Sequence, residues 1–513
     1  MAKRSTTETC CLTLPLILEK WQSDRLEKRF EIARQIYNTL LNYELKKLRR
    51  LEPDEEFNIL IKRIRKSYSL GKKDTSEYKQ LQRRILAYCS KKGLSEYQFK
   101  SKDDIGLFYK HFECNIKSKV AYHAIADQVW KSFESFFSGR SDKIHFKKRG
   151  EIKTLQGSTN GSKSGGAEIV FRGTYIEWNG LKLPIKLDAD NEYETGMLQK
   201  HIKFCRIVKR PGKNKPRWYV QLLLEGKPGV KADKRTGKPR HPIGSGTVGI
   251  DIGPQTIAYA SKSEAGLREL ADQVKNIEHE KRIIQRKLDR SIRATNPDNF
   301  AEDGTVKKGI RLRWVKSKSY LRLQVELAYL QYQQAEVRKR QHTELANHLL
   351  SLGDRFYVED MNWPSLTHRA KKTEISEKTG RYKRKKRFGK SVGNKAPAML
   401  IGILDQKLRS SGLDGVIKVP TAVRASQFNH ITGEYQEKSL GQRWNKMPDG
   451  KRLQRDLYSA FLLQHMNKTQ DGFDVEALSR DYESFIKLHD NIIIQLQAAP
   501  KTLTSMGITR TVS

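Results

Sequence analysis

The sequence predicts a multidomain α+β protein. Its 513 residues are enough for about three or four domains. Apolar residues recur at helical spacing over residues 19–50, 75–92 and 117–138, which indicates a helical N-terminal region. From 167 to 226 the pattern changes to β-branched and aromatic runs separated by turn residues, and the remaining sequence alternates strands and helices.

The composition indicates a polyanionic partner. The chain has 99 Lys+Arg against 58 Asp+Glu, a formal net charge of +41, which would repel itself in a compact protein unless nucleic acid neutralised it. No apolar run approaches the ~18 residues that cross a bilayer. The five cysteines include no C-x-x-C pair, so we expect neither a disulfide framework nor a thiolate zinc knuckle, and a chain that works inside the cell.

The N-terminal half is expected to contain strands as well as helices. Cys10–Leu18 is interrupted by Pro15 and has no small-residue cleavage site, so it predicts a strand and not a signal segment. Gly157–Gly166 predicts an exposed loop and Gly226–Gly246 a linker. The strands expected between them are Ala167–Phe171, Tyr175–Trp178, Leu181–Leu187, Lys203–Val208 and Trp218–Leu224.

The C-terminal half is expected to alternate strands and helices. Thr247–Ile252 and Thr256–Ala260 predict strands. Two long helices follow, with apolar stripes at Leu267, Leu270, Val274, Ile277, Ile284, Leu288 and Ile292, and at Leu323, Leu327, Leu330, Val337, Leu345 and Leu349. The remaining elements are strands at Phe356–Val358 and Val416–Val419, a helix at Ala396–Ser410 and a helix that begins near Asp456. The tail, Asn467–Ser513, is expected to hold one more helix and an unstructured end.

Three acidic residues stand beside apolar elements and are the candidate catalytic residues. Asp251 lies within a strand, Glu359 directly follows one, and Asp456 opens an amphipathic helix. A carboxylate against a hydrophobic element is costly unless it is paired or binds a metal. Three converging carboxylates can hold two divalent ions that hydrolyse a phosphodiester, and hard oxygen ligands favour Mg²⁺ or Mn²⁺ over zinc. The order strand-Asp, strand-Glu, helix-Asp matches an RNase H-type core.

Each acid also has a purely structural explanation. Asp251 could cap the turn before Gly253. Glu359 could be an ion-pair partner at a sheet edge, and the neighbouring Asp360 could take the metal role in its place. Asp456 could be the N-cap of its helix, because aspartate is a preferred capping residue.

Three segments resemble the RuvC motifs of the transposon-encoded TnpB (OrfB) nucleases and of the compact type V CRISPR effectors. Gly249–Ala258 resembles the first motif, Phe356–Asn362 the second and Gln454–Ala460 the third. Further similarity lies in the two basic helices between the first two motifs and in three short segments, Phe133–Phe137, Phe146–Arg149 and Arg217–Gln221. The resemblance spans roughly residues 7 to 465.

The resemblance implies an RNA-guided DNA endonuclease with a guide RNA and target double-stranded DNA as partners. Its single RuvC site would cleave by Mg²⁺-dependent hydrolysis after a short flanking motif is recognised, with Asp251, Glu359 and Asp456 as metal ligands. The implied domains are the first strand of a wedge β-barrel (1–18), a helical recognition lobe (19–139), the wedge β-barrel and linker (140–246), a RuvC domain with a helical hairpin insertion (247–425), an insertion (426–453), the third RuvC motif helix (454–470) and a C-terminal tail (471–513).

The segment before the third acid departs from the family pattern. Family members usually carry Ser-Gln-x-Cys-x-x-Cys-Gly there, whereas Asn429 and Thr432 stand at the cysteine positions of this chain. A tetrahedral zinc site needs four ligands, and no cysteine follows Cys205. We therefore expect a degenerate zinc-finger-like insertion that folds without zinc. Its expected core residues are Phe428, Tyr435 and Trp444.

A basic run between the second and third motifs is a candidate nucleic-acid contact, and a solvated loop explains it equally well. Its residues are Lys383, Arg384, Lys385, Lys386 and Arg387.

Two other functions remain open on sequence alone. One is an RNA-guided DNA-binding regulator that does not cut, and the other is a transposase or junction resolvase that acts without RNA. Retention of all three acids argues against the regulator, and the large N-terminal region argues against the resolvase. We expect a cytoplasmic protein of a bacterial or archaeal cell, nucleoid-associated when bound to DNA.

Overall fold

The computed structural model describes residues 7–71, 75–117, 120–158, 168–367, 373–377, 380–382, 388–439, 441–500 and 502–510. The chain divides into two compact units, and the boundary between Val230 and Lys231 falls inside the predicted linker. Helices and several small sheets occur in the structure, so the α+β prediction is confirmed. Within the described ranges, no helix has the length and apolar character needed to cross a membrane.

The first unit contains a helical region built around one long helix. Its helices α1 to α6 are Lys20–Arg49, Glu55–Ser69, Ser76–Lys91, Glu96–Phe99, Gly106–Tyr109 and Ala126–Phe137, the last preceded by a π-helical turn at Ala121–Ile125. The apolar stripe of α1 is buried from Leu26 to Leu48, as its helical spacing predicts. The sequence pattern does not predict α2. This helix begins after its N-cap Asp54, whose side chain accepts from the Phe57 N–H at 3.0 Å.

The same unit contains two antiparallel sheets. The strands are β1 Thr9–Pro15, β2 Thr154–Ser158, β3 Ile169–Phe171, β4 Tyr175–Trp178, β5 Leu181–Pro184, β6 Ile202–Arg210 and β7 Arg217–Glu225, with the short helix α7 Glu192–Leu198 before β6. Their orders are β1-β7-β6-β2 and β3-β4-β5. An isolated bridge between Leu16 and Ile185 links the two sheets.

β2 corrects the start of the predicted exposed loop, because residues 157 and 158 belong to this strand. Gly157 is a packing residue: a Cβ there would stand 2.7 Å from Cγ1 of Ile169 in β3. In a sequence, a glycine that lets two strands approach closely looks the same as a glycine in a loop. The loop was therefore predicted to begin at residue 157, inside β2. Residues 159–167 lie outside the described ranges.

The second unit is built on a five-stranded mixed sheet. Its strands are β8 Thr247–Ile252, β9 Thr256–Ala260, β10 Ala265–Glu269, β11 Arg355–Glu359 and β12 Ile417–Val419, in the order β10-β9-β8-β11-β12. β8, β11 and β12 are parallel. β9 pairs antiparallel with β8 and β10 pairs antiparallel with β9, so β9 alone runs opposite to the other four strands. β8 and β9 have the bounds that the sequence predicts.

Helices are the other main elements of the second unit. They are α8 Glu278–Thr295, α9 Lys318–Leu352, α10 Trp363–Thr367, α11 Gly389–Lys395, α12 Pro397–Ser410, α13 Arg455–Gln464 and α14 Val475–Ala498, and short hairpin strands β13 Phe428–Asn429, β14 Glu434–Tyr435, β15 Trp444–Lys446 and β16 Arg452–Gln454 precede α13. Val248 and Ile250 pack in one core with α9 and α12. Ala258 and Tyr357 face the other core, which α13 and α14 complete.

The start of the first long helix was predicted wrongly. Leu267 lies in β10, and α8 begins only at Glu278. Residues 265–269 pair with 256–260 of β9, and Gly266 lies against the Tyr259 ring, where a Cβ would overlap it. Sheet pairing therefore overrides an apolar spacing that also fits a helix.

The tail contains the one further helix that the sequence predicts, α14, but the prediction of an unstructured end is wrong within the described residues. α14 buries Leu478 and Phe485, and the Phe485 ring stacks on Phe461 of α13 at 4.3 Å. Beyond α14, Met506 and Ile508 are buried in the same core. The tail is therefore part of the second unit up to residue 510.

Candidate active site

α13 packs directly on β8 because residue 249 is a glycine. A Cβ at Gly249 would overlap the carbonyl oxygen of Ala460 and the amide nitrogen of Gln464. Side chains alternate between the faces of a strand, so Asp251 leaves β8 on the same face as Gly249. Ser459 of α13 donates a hydrogen bond to the Asp251 carboxylate, which is consistent with this direction.

Glu359 stands beside Asp251 at the carboxyl edge of two parallel strands. In the register of β11 with β8, Tyr357 is opposite Gly249 and Val358 is opposite Ile250. One residue further along, Glu359 therefore reaches the level of Asp251, on the face that Tyr357 shares with α13.

Asp456 enters the site from the first turn of α13. The N-cap is Gln454, whose Oε1 accepts from the N–H groups of Asp456 and Leu457, both at 2.8 Å, so the explanation of Asp456 as a cap is wrong. Its side chain is 14% exposed and faces two guanidinium groups instead. Arg455 Nε lies 3.1 Å from Asp456 Oδ1, and Arg443 Nη1 lies 3.7 Å from Oδ2.

Electrostatics link the three acids. Burial raises the pKa of Asp251 well above its ordinary value, and repulsion from Asp456 and then Glu359 raises it further. The Ser459 hydrogen bond and the charge of Arg455 act in the opposite direction. Burial also raises the pKa of Glu359. The structure thus brings the three predicted acids close enough for their charges to interact.

The neighbouring groups bear on the alternatives. Asp360 is exposed and forms an ion pair with Lys418 at 3.0 Å, a surface arrangement that differs from that of Glu359. At the end of β8, the Gly253 N–H donates to the Thr256 carbonyl at 2.9 Å, so this turn closes without a cap from Asp251.

The donor set fits a hard divalent cation in its chemistry. The three carboxylates repel one another, and a bound cation would relieve that repulsion. Within the described ranges, however, no three His, Cys, Asp or Glu side chains already form a common metal-binding group. Both oxygens of Asp456 face arginines, so ion binding would compete with Arg443 and Arg455 for this carboxylate.

Of the three aromatic residues predicted for the core of the insertion before α13, Phe428 is buried, Trp444 is half-buried and Tyr435 is exposed. The prediction is therefore wrong for Tyr435, whose ring covers Phe428 from the surface at a centroid distance of 5.0 Å. The residues at the cysteine positions make turn hydrogen bonds: Asn429 Oδ1 accepts from the Ile431 N–H at 3.0 Å, and Thr432 Oγ1 accepts from the Glu434 N–H at 3.3 Å.

Sequence reasoning missed the polar residues that hold the acids. Gln454 and Arg455 lie in the third motif, and Ser459 lies three residues after Asp456, on the same helix face. That spacing could have identified Ser459. Arg443 carries no local signal, because the fold brings it from the preceding hairpin. The predicted nucleic-acid contacts at residues 383–387 lie outside the described ranges.

Comparison with known proteins gives distant structural similarity. No protein-family model matches the chain, and no curated protein matches it in sequence. The chain is similar to a Cas12f1–sgRNA–target DNA complex solved by cryo-EM, with a TM-score of 0.39 and 12% identity over 90% of this chain and 99% of that chain. It is also similar to a CRISPR–Cas12f ternary complex, with a TM-score of 0.25 and 13% identity over 89% and 98%. These similarities are too distant for residue roles to be transferred.

Proposed function

We propose that the chain is an RNA-guided DNA endonuclease that hydrolyses a phosphodiester at one site. Asp251, Glu359 and Asp456 are its metal ligands, and water is the nucleophile. The observation that carries this proposal is the convergence of the three acids at one sheet edge, where Asp456 and Glu359 both raise the pKa of Asp251. Perturbed, mutually repelling carboxylates are typical of functional sites.

Mg²⁺, with Mn²⁺ as an alternative, is the proposed cofactor. Bound at these carboxylates, it supplies a Lewis acid that activates water and stabilises the leaving oxygen. The protein orients the ligands: Ser459 holds Asp251 by a hydrogen bond, and the Gln454 cap fixes the turn of α13 that carries Asp456. Arg443 and Arg455 keep cationic groups beside the carboxylates, where a DNA phosphate would arrive. No zinc is proposed for the insertion at 426–453.

The strand order of the second unit supports an RNase H-like RuvC domain. Its sheet has three neighbouring parallel strands, and the antiparallel strand β9 lies between β8 and the edge strand β10. The first two acids lie at the carboxyl ends of the adjacent parallel strands β8 and β11. The hairpin of α8 and α9 is the proposed insertion between the first two acids. In the first unit, the helical region and the two linked sheets are the proposed recognition lobe and wedge β-barrel.

Charge supports a guide RNA and target DNA as partners. The net charge of +41 suits two polyanions, and the nucleic acids named for the Cas12f complexes are the partners that we propose here. Because phosphate contacts release counterions, DNA affinity should fall steeply with salt, by roughly 10³-fold or more between 50 and 200 mM if six or more phosphates are contacted. The run Lys383–Arg387 is a proposed nucleic-acid contact.

The test is purification from the native locus, followed by sequencing of the bound RNA. The RNA-bound protein would then be incubated with Mg²⁺ and DNA that carries the guide-matched target beside randomised flanks. We expect a discrete RNA and guide-matched cleavage that Asp251→Ala abolishes. The matched control is Asp360→Ala, which removes a neighbouring acid that is ion-paired at the surface.

Other results would favour the two alternative functions. A discrete RNA with target binding but no cleavage would identify a guide-dependent regulator. Cleavage or strand transfer without RNA would identify a resolvase or transposase and would exclude RNA guidance. A transposon-borne nuclease and a CRISPR effector would be distinguished by the origin of the RNA that is recovered.

A further inference from the structure

A buried histidine on the C-terminal helix contacts the segment that carries the third acid. His489, on α14, is 1% exposed. Its Nε2 lies 2.9 Å from the backbone nitrogen of Gln454, two residues before Asp456 in sequence and 35 residues from His489. Its ring meets Trp444 edge-on, with centroids 6.2 Å apart. The predicted tail therefore contacts the beginning of α13.

The hydrogen bonds define one tautomer of His489. A backbone N–H can only donate, so Nε2 is the acceptor and carries no proton. Nδ1 then carries the proton and donates to Asp490 Oδ1 at 2.8 Å. The neutral ring satisfies a buried backbone donor that would otherwise be unpaired, and such a group is costly inside a protein.

Gln454 connects the His489 hydrogen bond to the helix turn that carries Asp456. Its side chain is fully buried, and its Oε1 accepts from the N–H of Asp456 and from that of Leu457. Its Nε2 donates to the Met506 carbonyl at 3.4 Å, so a second part of the tail holds the same side chain. The backbone N–H of Gln454 is thus paired with His489 of α14, and the side chain of Gln454 caps the first turn of α13, which carries Asp456.

The end of the tail, at Gly507, packs closely against Arg443 and Trp444. Gly507 has φ +75°, and a Cβ there would stand 2.8 Å from Arg443 Cβ and Trp444 Nε1. Trp444 Nε1 donates to the Gly507 carbonyl at 2.9 Å. Only glycine suits both the left-handed backbone and this close approach. The same contact also supports the hairpin that supplies Arg443.

We infer that His489 is a positioning residue of the metal site: by accepting from the Gln454 N–H, it fixes the cap that orients Asp456. This inference rests on the proposed function, because it takes Asp456 as a metal ligand. His489 does not contact the carboxylates itself. Groups that orient a metal ligand from outside typically contribute roughly 10- to 100-fold to metal affinity.

The test measures Mn²⁺ affinity by electron paramagnetic resonance on the full chain, without DNA. His489→Leu removes the acceptor and should weaken Mn²⁺ binding roughly 10-fold. His489→Gln can return an acceptor near the Nε2 position and should recover most of the affinity. Gln454→Ala keeps the backbone N–H but removes the cap, and should weaken binding in the same way.

The matched control is His465→Leu in the same core. His465 is also buried, but it bonds to the Phe461 carbonyl and to Asp481, so Mn²⁺ affinity should stay near that of the wild type. Thermal unfolding identifies the variants that remain folded. If His489→Leu unfolds, Gln454→Ala and the recovery in His489→Gln decide the inference.

The outcomes separate the two proposals. Wild-type affinity in folded His489→Leu or in Gln454→Ala, or an equal loss in His465→Leu, would overturn the positioning role. A wild-type protein that binds Mn²⁺ but cuts no guide-matched DNA would contradict the proposed function alone, and the affinities would still decide the role of His489. A wild-type protein without Mn²⁺ affinity would contradict both.

Discussion

The two units each contain a group of buried acids, and the groups differ in how the nearby cations are shared among the acids. In the first unit, Glu44 and Asp104 share Lys47, whose Nζ lies 2.8 Å from each Asp104 oxygen and 3.3 Å from Glu44 Oε1. Burial and the adjacent Asp104 raise the pKa of Glu44 to about 9. At neutral pH the Glu44 carboxyl is therefore held in its neutral form, while Lys47 contacts both acids.

The cations of the second unit are not shared in this way. Arg443 and Arg455 both pair with Asp456. Among the described residues, Asp251 and Glu359 have no ion pair, and burial raises both of their pKa values. The comparison teaches that burial alone does not identify a catalytic acid. In the structural group one cation contacts both acids, whereas in the candidate metal site both arginines pair with Asp456 and leave the other two acids without an ion pair among the described residues.

The largest expected difference is in catalysis. Asp251→Asn, Glu359→Gln and Asp456→Asn should each lower the single-turnover cleavage rate by about 1000-fold or more, because each removes a metal ligand. Asp360→Asn should remain within about 3-fold of the wild type, as expected for a surface change. A normal rate in any of the first three variants would remove that residue from the site.

In the first unit, the same kind of change should affect stability and not cleavage. Lys47→Met leaves the Asp104 carboxylate buried without a counter-ion, so urea unfolding should report a loss of about 3–5 kcal/mol. Lys418→Met breaks an exposed ion pair with Asp360 and should cost at most about 1 kcal/mol. Equal losses in the two variants would contradict the difference between buried and exposed pairs.

Neutralising Asp251 should stabilise the protein while it abolishes cleavage. In the unfolded chain Asp251 loses its proton near its ordinary pKa of 3.8, whereas in the folded protein the raised pKa keeps the proton bound at higher pH. The free energy of unfolding therefore falls as pH rises above 3.8. At pH 7 without metal, Asp251→Asn should raise the free energy of unfolding measured in urea, because the amide carries no charge for burial and the two neighbouring acids to disfavour. Mg²⁺ should stabilise the wild type more than the variant. A destabilised variant would contradict the unfavourable charge at Asp251.

The remaining expected effect is a pH slope in the first unit. The pKa of Glu44 is about 9 in the folded state, against 4.5 ordinarily. The stability that its proton supplies is therefore lost as pH rises from 4.5 to 9, by at most about 1.4 kcal/mol per pH unit. Glu44→Gln should remove this slope between pH 7 and 9, and cleavage should be unchanged. Parallel stability profiles for the two proteins would contradict the assignment.

The sequence predicted the acids because each lies beside a local apolar pattern. β8 has its predicted bounds, and the order of the acids along the chain suffices to place them on two strands and a helix. The same local signal failed at Leu267, because pairing with β9 decided its structure. Periodicity indicates that one face of a segment is buried, but it does not indicate which other segment packs against or pairs with it.

The residues that orient the acids could not be predicted in this way. The hydrogen bond between Gln454 and His489 joins positions that are 35 residues apart in sequence. The hydrogen bond between Trp444 and Gly507 likewise joins two segments that are distant in sequence. A buried hydrogen bond between distant segments has no counterpart in composition or spacing. For the same reason, the tail could not be recognised as part of the core.

The central claim is that Asp251, Glu359 and Asp456 together form one divalent-metal site. The most direct test is the Mn²⁺ affinity of the wild type and of Asp251→Asn, Glu359→Gln and Asp456→Asn, with Asp360→Asn as the control. We predict that each of the first three variants loses at least the roughly 10- to 100-fold that removal of an outer-shell partner costs, and that the control retains wild-type affinity. Unchanged affinity in the three variants, or an equal loss in Asp360→Asn, would contradict the claim.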